Sequence, residues 1–175
     1  LLVTADFENG GPGMRINGSF ALPSMLPQGG GTDFPPTMAF GAIGDDRFAY
    51  EYGRITAREA RAVGVHLLFS PVLDVNSNPD NPVIATRSFG GDSDLVARLG
   101  AAFIRGAHAG GACATGKHFP GHGDTSTDSH IGIPVVEADR QRLDALELAP
   151  FQRAIDDGVD AIMTAHVQLP EILGP

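Results

Sequence analysis

Residues 93–130 read SDLVARLGAAFIRGAHAGGACATGKHFPGHGDTSTDSH, and this stretch decides the fold. Leu95, Val96, Leu99, Phe103 and Ile104 recur at helical spacing, with Ser93 or Asp94 placed to cap the first turn. Gly110-Gly111 stops that helix. Ala112 to Thr115 is a short strand of small, partly β-branched residues, and it ends in Lys117-His118. A long loop of Gly, Pro and titratable residues then runs from Phe119 to Pro134. A helix, a glycine stop, a short apolar strand, a polar strand end and a long loop form one β/α repeat unit.

The same unit recurs outward in both directions. Leu1 to Ala5 is a β-prone run ending at Asp6, and Thr37 opens a helix predicted to reach about Ala62. Val65 to Phe69 is the next strand, followed by a loop over Asp74 to Asp92. After the quoted stretch, Asp139 opens a helix stopped by Gly158, and Ala161 to Ala165 is a fourth strand ending at His166. The order β-α-β-α-β-α-β without hairpin signals predicts a parallel sheet with right-handed crossovers. Both a closed (β/α) barrel and an open doubly wound sheet accept such strands. Polar residues at every strand end, each followed by a long loop, favour the barrel. Four strands amount to about half of an eight-stranded (β/α)8 TIM-type barrel. The expectation is therefore an α/β fold, with residues 1–175 a partial barrel of about four β/α units in one domain. The chain starts at Leu1 inside an apolar run and stops at Gly174-Pro175, so a piece of a longer protein is expected.

Composition narrows the function. A net charge of −9 makes a poor partner for a phosphate backbone, so nucleic acid is not expected. No apolar run approaches the roughly 18 residues of a membrane span. The single cysteine, Cys113, excludes an intramolecular disulfide and a Cys-based zinc site, but leaves the compartment open. Trp is absent and Tyr numbers 2, which removes the usual aromatic stacking platforms.

The densest chemistry lies in Lys117-His118-Phe119-Pro120-Gly121-His122-Gly123-Asp124-Thr125 and Asp128-Ser129-His130. Asp128 and His130 stand two apart, where a carboxylate can fix an imidazole tautomer for general acid/base work. A loop-closing hydrogen bond explains the same pair equally well. His118, His122, Asp124 and His130 offer a competing metal reading, which the Pro-Gly loop and Lys117 oppose. The glycines lack the spacing of a phosphate-cradling loop.

Taken together, these motifs resemble glycoside hydrolase family 3, in its bacterial β-N-acetylhexosaminidase branch. The resemblance covers essentially the whole chain. It includes Asp6-Phe7-Glu8-Asn9-Gly10-Gly11, with Asn9 departing from the family pattern, and Phe69 to Val75. It continues through Arg87-Ser88-Phe89-Gly90, Pro150-Phe151 and Met163-Thr164-Ala165-His166-Val167. The resemblance implies retaining cleavage of terminal β-linked N-acetylhexosamine, with His130 as general acid/base and Asp128 as its partner. Asp6 would accept hydrogen bonds from sugar hydroxyls, and Arg15, Arg87, Lys117 and His118 would donate to the sugar. His166 would line the pocket or be a buried strand-end residue. Arg87 has a rival role as an ion-pair partner of Asp92, Asp74 reads as a turn cap, and His122 reads as loop-shaping. The family's nucleophile is an Asp on a later strand, beyond the chain end, so no residue here is assigned to it and the isolated piece is expected to be inactive. The implied partner is a small carbohydrate, an N-acetylglucosaminide such as a peptidoglycan-derived one, with no cofactor and no metal. A β-glucosidase or β-glycoside phosphorylase of the same family, a metal-dependent barrel hydrolase and a non-catalytic sugar-binding domain remain alternatives.

Overall fold

The computed structural model describes residues 1–10, 31–127 and 132–173. Four strands form one sheet: β1 (Thr4–Ala5), β2 (Leu67–Leu68), β3 (Cys113–Phe119) and β4 (Ala161–Thr164), neighbours in chain order. Every pairing is parallel, with Ala5 beside Leu68, Leu68 beside Ala114, and Gly116 beside Ile162. A doubly wound sheet reverses its strand order at a switch point. These strands add always to the same side, as barrel strands do. The fold is thus α/β of the TIM-barrel type, present as a partial barrel.

Strand β3 is longer than its sequence suggests because the chain leaving β2 keeps running beside it. Leu73 N–H donates to the Lys117 carbonyl at 2.6 Å, and Lys117 N–H donates to the Pro71 carbonyl at 3.1 Å. This extension carries the loop after β2 up to the end of β3.

The helix predicted from Thr37 to Ala62 is two helices, α1 (Thr37–Ile43) and α2 (Asp46–Ala62). Gly44 adopts a left-handed conformation, and its N–H returns to the Phe40 carbonyl. Asp45 then caps α2 by accepting from Arg47 N–H. Apolar periodicity runs through the break and hides it. Helix α3 (Ser93–Gly110) begins one residue after its cap, Asp92, whose carboxylate accepts from Leu95 N–H. Gly111 closes it in the left-handed region. The segment after Asp139 is interrupted: α4 (Arg140–Arg142), a π turn (Leu143–Glu147), then α5 (Ala149–Asp156). Helix α6 (Pro170–Leu173) follows β4.

Helices α2 and α3 pack backbone to backbone. A Cβ on Gly106 would sit 2.0 Å from the Tyr50 carbonyl oxygen, and one on Gly53 2.2 Å from that of Phe103. Only glycine allows this approach. Around it lie Phe40, Tyr52, Leu99, Phe103 and Ile104, all buried. The Phe40 and Tyr52 rings stack at 4.5 Å, and Phe103 meets Tyr52 edge-on at 4.9 Å. Among the described residues no helix is long and apolar enough to cross a membrane.

Candidate active site

The C-terminal ends of β1, β2 and β3 bring charged side chains together. Glu8, just past β1, is the hub. Its carboxylate takes the Arg87 guanidinium side-on, with Nη2 at 2.7 Å from Oε1 and Nε at 2.8 Å from Oε2. Lys117 Nζ lies 2.6 Å from the same Oε1 and 2.8 Å from Asp6 Oδ1. Burial raises the Glu8 carboxyl, but hydrogen bonds and charges from Arg87 and Lys117 outweigh that effect and hold it at about 2. Lys117 is 2% exposed, whereas half of the Asp6 side chain faces solvent. An ammonium has three N–H donors, and among the described residues Lys117 directs two of them to Asp6 and Glu8.

Asp74, fully buried, organises the other side. Its Oδ2 lies 2.6 Å from His118 Nδ1, and its Oδ1 accepts from His122 N–H at 2.7 Å. A carboxylate at Nδ1 accepts the N–H there and fixes which way Nε2 faces. That Nε2 stands 3.4 Å from Arg87 Nη2. Asp74 therefore orients His118 and is not a cap for the turn before Asn76. Likewise, the partner of Arg87 is Glu8 and not Asp92, which caps α3.

His122 is buried, and burial pulls its pKa down. Its Nδ1 lies 2.6 Å from Thr125 Oγ1, and its carbonyl accepts from Asn81 Nδ2 at 2.8 Å. These bonds shape the loop after β3, as expected of it. Asp124 pairs with Arg142 and is not turned toward His118 or His122. Among the described residues no three His, Cys, Asp or Glu side chains converge as metal ligands.

Of the residues singled out in the sequence, Asp6, Arg87, Lys117 and His118 share this cluster. His166 lies two residues past β4, the last strand of the partial sheet, and is exposed there. Arg15, Asp128 and His130 lie outside the described residues. Sequence reasoning passes over Glu8 as a site residue, although it sits inside the Asp6–Gly11 motif. Its signal is a carboxylate two residues after Asp6, in a chain where Lys117 on β3 and Arg87 in the loop after β2 need a counter-charge.

Gly123 keeps the loop against the sheet end. A Cβ there would stand 1.8 Å from the Val75 carbonyl oxygen and 2.5 Å from its carbon. Gly123→Ala is expected to push the loop off that backbone and cost about 2–3 kcal/mol. A chemical-unfolding curve checks this; an unchanged midpoint would show that the loop tolerates a shift.

Carboxylates, an arginine, a lysine and a histidine gather at the C-terminal strand ends of a partial barrel, the face on which β/α barrels carry their active sites. The chain belongs to the family described as glycosyl hydrolase family 3 N terminal domain, whose model matches residues 24–174. It is 38% identical to a β-hexosaminidase of Methylobacillus flagellatus, over 98% of this chain and 47% of that protein. It thus spans about half the length of that relative. Among solved structures it resembles a family 3 β-N-acetylglucosaminidase from a Paenibacillus species, with 50% identity and a TM-score of 0.83 over 98% of this chain and 30% of that one. It also resembles NagZ from Neisseria gonorrhoeae in complex with N-trifluoroacetyl-D-glucosamine, with 33% identity and a TM-score of 0.85 over 99% of this chain and 50% of that one.

Proposed function

We propose that the chain is part of a single family 3 barrel domain of a retaining β-N-acetylhexosaminidase that acts on a small N-acetylglucosaminide. The observation that carries this reading is the convergence of Asp6, Arg87, Lys117 and His118, locked by Glu8 and Asp74, in a domain of this family. Asp6 accepts from sugar hydroxyls, while Lys117 donates to them. Glu8 and Asp74 hold Arg87, Lys117 and His118 in place. Preset polar groups of this kind favour the sugar position from which the bond breaks.

In this mechanism His130, oriented by Asp128, protonates the leaving oxygen while a carboxylate attacks the anomeric carbon. It then takes a proton from the water that releases the sugar. An imidazole suits both steps because it titrates near neutrality. The attacking carboxylate is assigned to no residue of this chain. The names of the relatives support the N-acetylhexosamine reading.

The test is turnover by the full-length protein of an aryl N-acetyl-β-glucosaminide beside the matching aryl β-glucoside. Each is run in phosphate-free buffer and with inorganic phosphate. Preference for the N-acetyl substrate with free sugar as product is expected. A sugar phosphate as product would establish the phosphorylase alternative, and preference for the glucoside the β-glucosidase. Activity abolished by a chelator would establish a metal-dependent hydrolase. Sugar binding without turnover would leave a binding domain.

A further inference from the structure

We infer that Arg142 is a positioning residue for the acid/base dyad, tying the root of the loop after β3 to the π turn between α4 and α5. The inference rests on the reading of Asp128 and His130 as that dyad. Arg142 Nη2 lies 2.9 Å from Asp124 Oδ2, and its Nε lies 3.3 Å from Glu147 Oε1. Asp124 stands four residues before Asp128 in the chain.

From the opposite side, Ser77 Oγ donates to Asp124 Oδ1 at 3.4 Å, and Asn78 Nδ2 reaches the carbonyls of Asp124 and Thr125 at 3.4 Å. Asp124 is therefore held between the loop after β2 and the segment after Asp139. The residues that follow Thr125 leave from a point fixed on both flanks.

The π turn makes the tie geometrically possible. Arg142 and Glu147 are five residues apart. On an α-helix that spacing puts side chains roughly 140° apart, so they would not meet. The wider turn, closed by Leu148 N–H on the Leu143 carbonyl at 2.8 Å, returns them to one face.

Glu147 is buried, and among the described residues its Oε2 has no hydrogen-bond partner. Its stem lies flush with the loop: a Cβ on Gly121 would come 2.8 Å from Glu147 Cβ. An irregular turn carrying a buried carboxyl against a neighbouring loop is a costly arrangement for a plain connector. Burial also raises the Glu147 carboxyl, against the pull of Arg142. Neither Arg142 nor Glu147 contacts Asp6, Glu8, Arg87 or Lys117 among the described hydrogen bonds and ion pairs. The tie thus acts on the loop and not on the sugar-holding cluster.

The test uses the full-length protein with Arg142→Ala, Asp124→Ala, the double variant and Glu147→Gln. His130→Ala is the reference. Each is assayed on N-acetylglucosaminides with a poor and with an activated aryl leaving group. If Arg142 positions the acid, Arg142→Ala loses roughly 10- to 100-fold in kcat/KM on the poor leaving group and little on the activated one. The double variant is then no worse than the worse single variant, Glu147→Gln shows a smaller loss of the same pattern, and affinity for a competitive sugar inhibitor is unchanged. Equal losses on both substrates, or losses that multiply in the double variant, overturn the inference while His130→Ala still discriminates. If His130→Ala itself does not discriminate, the dyad reading fails and the inference falls with it.

Discussion

His130→Ala in the full-length protein is expected to lower kcat/KM roughly 10²- to 10⁴-fold on a glycoside with a poor leaving group. An alkoxide leaves only if it is protonated as the bond breaks, and the Asp128-Ser129-His130 motif supplies the proton in the proposed mechanism. A nitrophenolate leaves unaided, so kcat/KM on that substrate should fall by no more than about tenfold. Its kcat should fall further, because release of the sugar from the enzyme needs the same imidazole as a base. A small anionic nucleophile such as azide, which needs no base, should restore that second step. Steady-state kinetics on the two substrates, with and without azide, read all of this. Matching losses in kcat/KM on both would remove His130 from the acid role and leave it a structural residue.

Glu8→Gln should have the second largest effect, on stability and on sugar binding together. Glu8 is the anion between Arg87 and Lys117, and its side chain is 11% exposed. Removing its charge leaves two largely buried cations with only the half-exposed Asp6 and the charge of Asp74 to offset them among the described residues, and breaking a buried pair costs about 3–5 kcal/mol. The pH dependence has a defined sign. The folded carboxyl is held at about 2 against an ordinary 4.5, so the folded state binds its proton more weakly than the unfolded chain. The stabilisation is complete above about pH 4.5 and is lost as pH falls from there toward 2. A displacement of that size is worth roughly 3 kcal/mol. Denaturant unfolding at pH 7 and pH 3 should show a smaller acid loss in Glu8→Gln than in the parent. In the same variant the inhibition constant of a sugar inhibitor should rise, since Arg87 and Lys117 lose their shared anchor. A variant as stable as the parent at both pH values would mean that solvent, and not Glu8, balances these cations.

Much of this molecule is legible in short-range signals along the chain. Glycine stops at Gly64, Gly110-Gly111 and Gly158 and the cap at Asp139 act within a turn of the residues they terminate, whereas α3 is capped by Asp92 and not by the expected Ser93 or Asp94. The helix boundaries therefore follow from spacing alone, and so do the polar strand ends Asp6 and Lys117-His118. Where two such signals overlap, the weaker one is lost. The Gly44-Asp45 cap pair is hidden under the apolar period of α1 and α2, and the π turn under that of α4 and α5.

By itself, then, the sequence determined the alternation of strands and helices, the strand ends that carry polar residues and the family resemblance, since each depends on neighbours a few positions apart. Only the tertiary structure decided the strand order and the pairing of charges. Arg87 meets Glu8 across 79 residues, Lys117 meets Asp6 across 111, and His118 meets Asp74 across 44. Either Asp92 or Glu8 could neutralise Arg87 on paper. The closing of the chain around β1 and β3 brings one carboxylate to the guanidinium and leaves the other capping a helix. A charge has no preferred sequence distance, and its partner is whichever opposite charge the packed backbone places within a few ångströms of it.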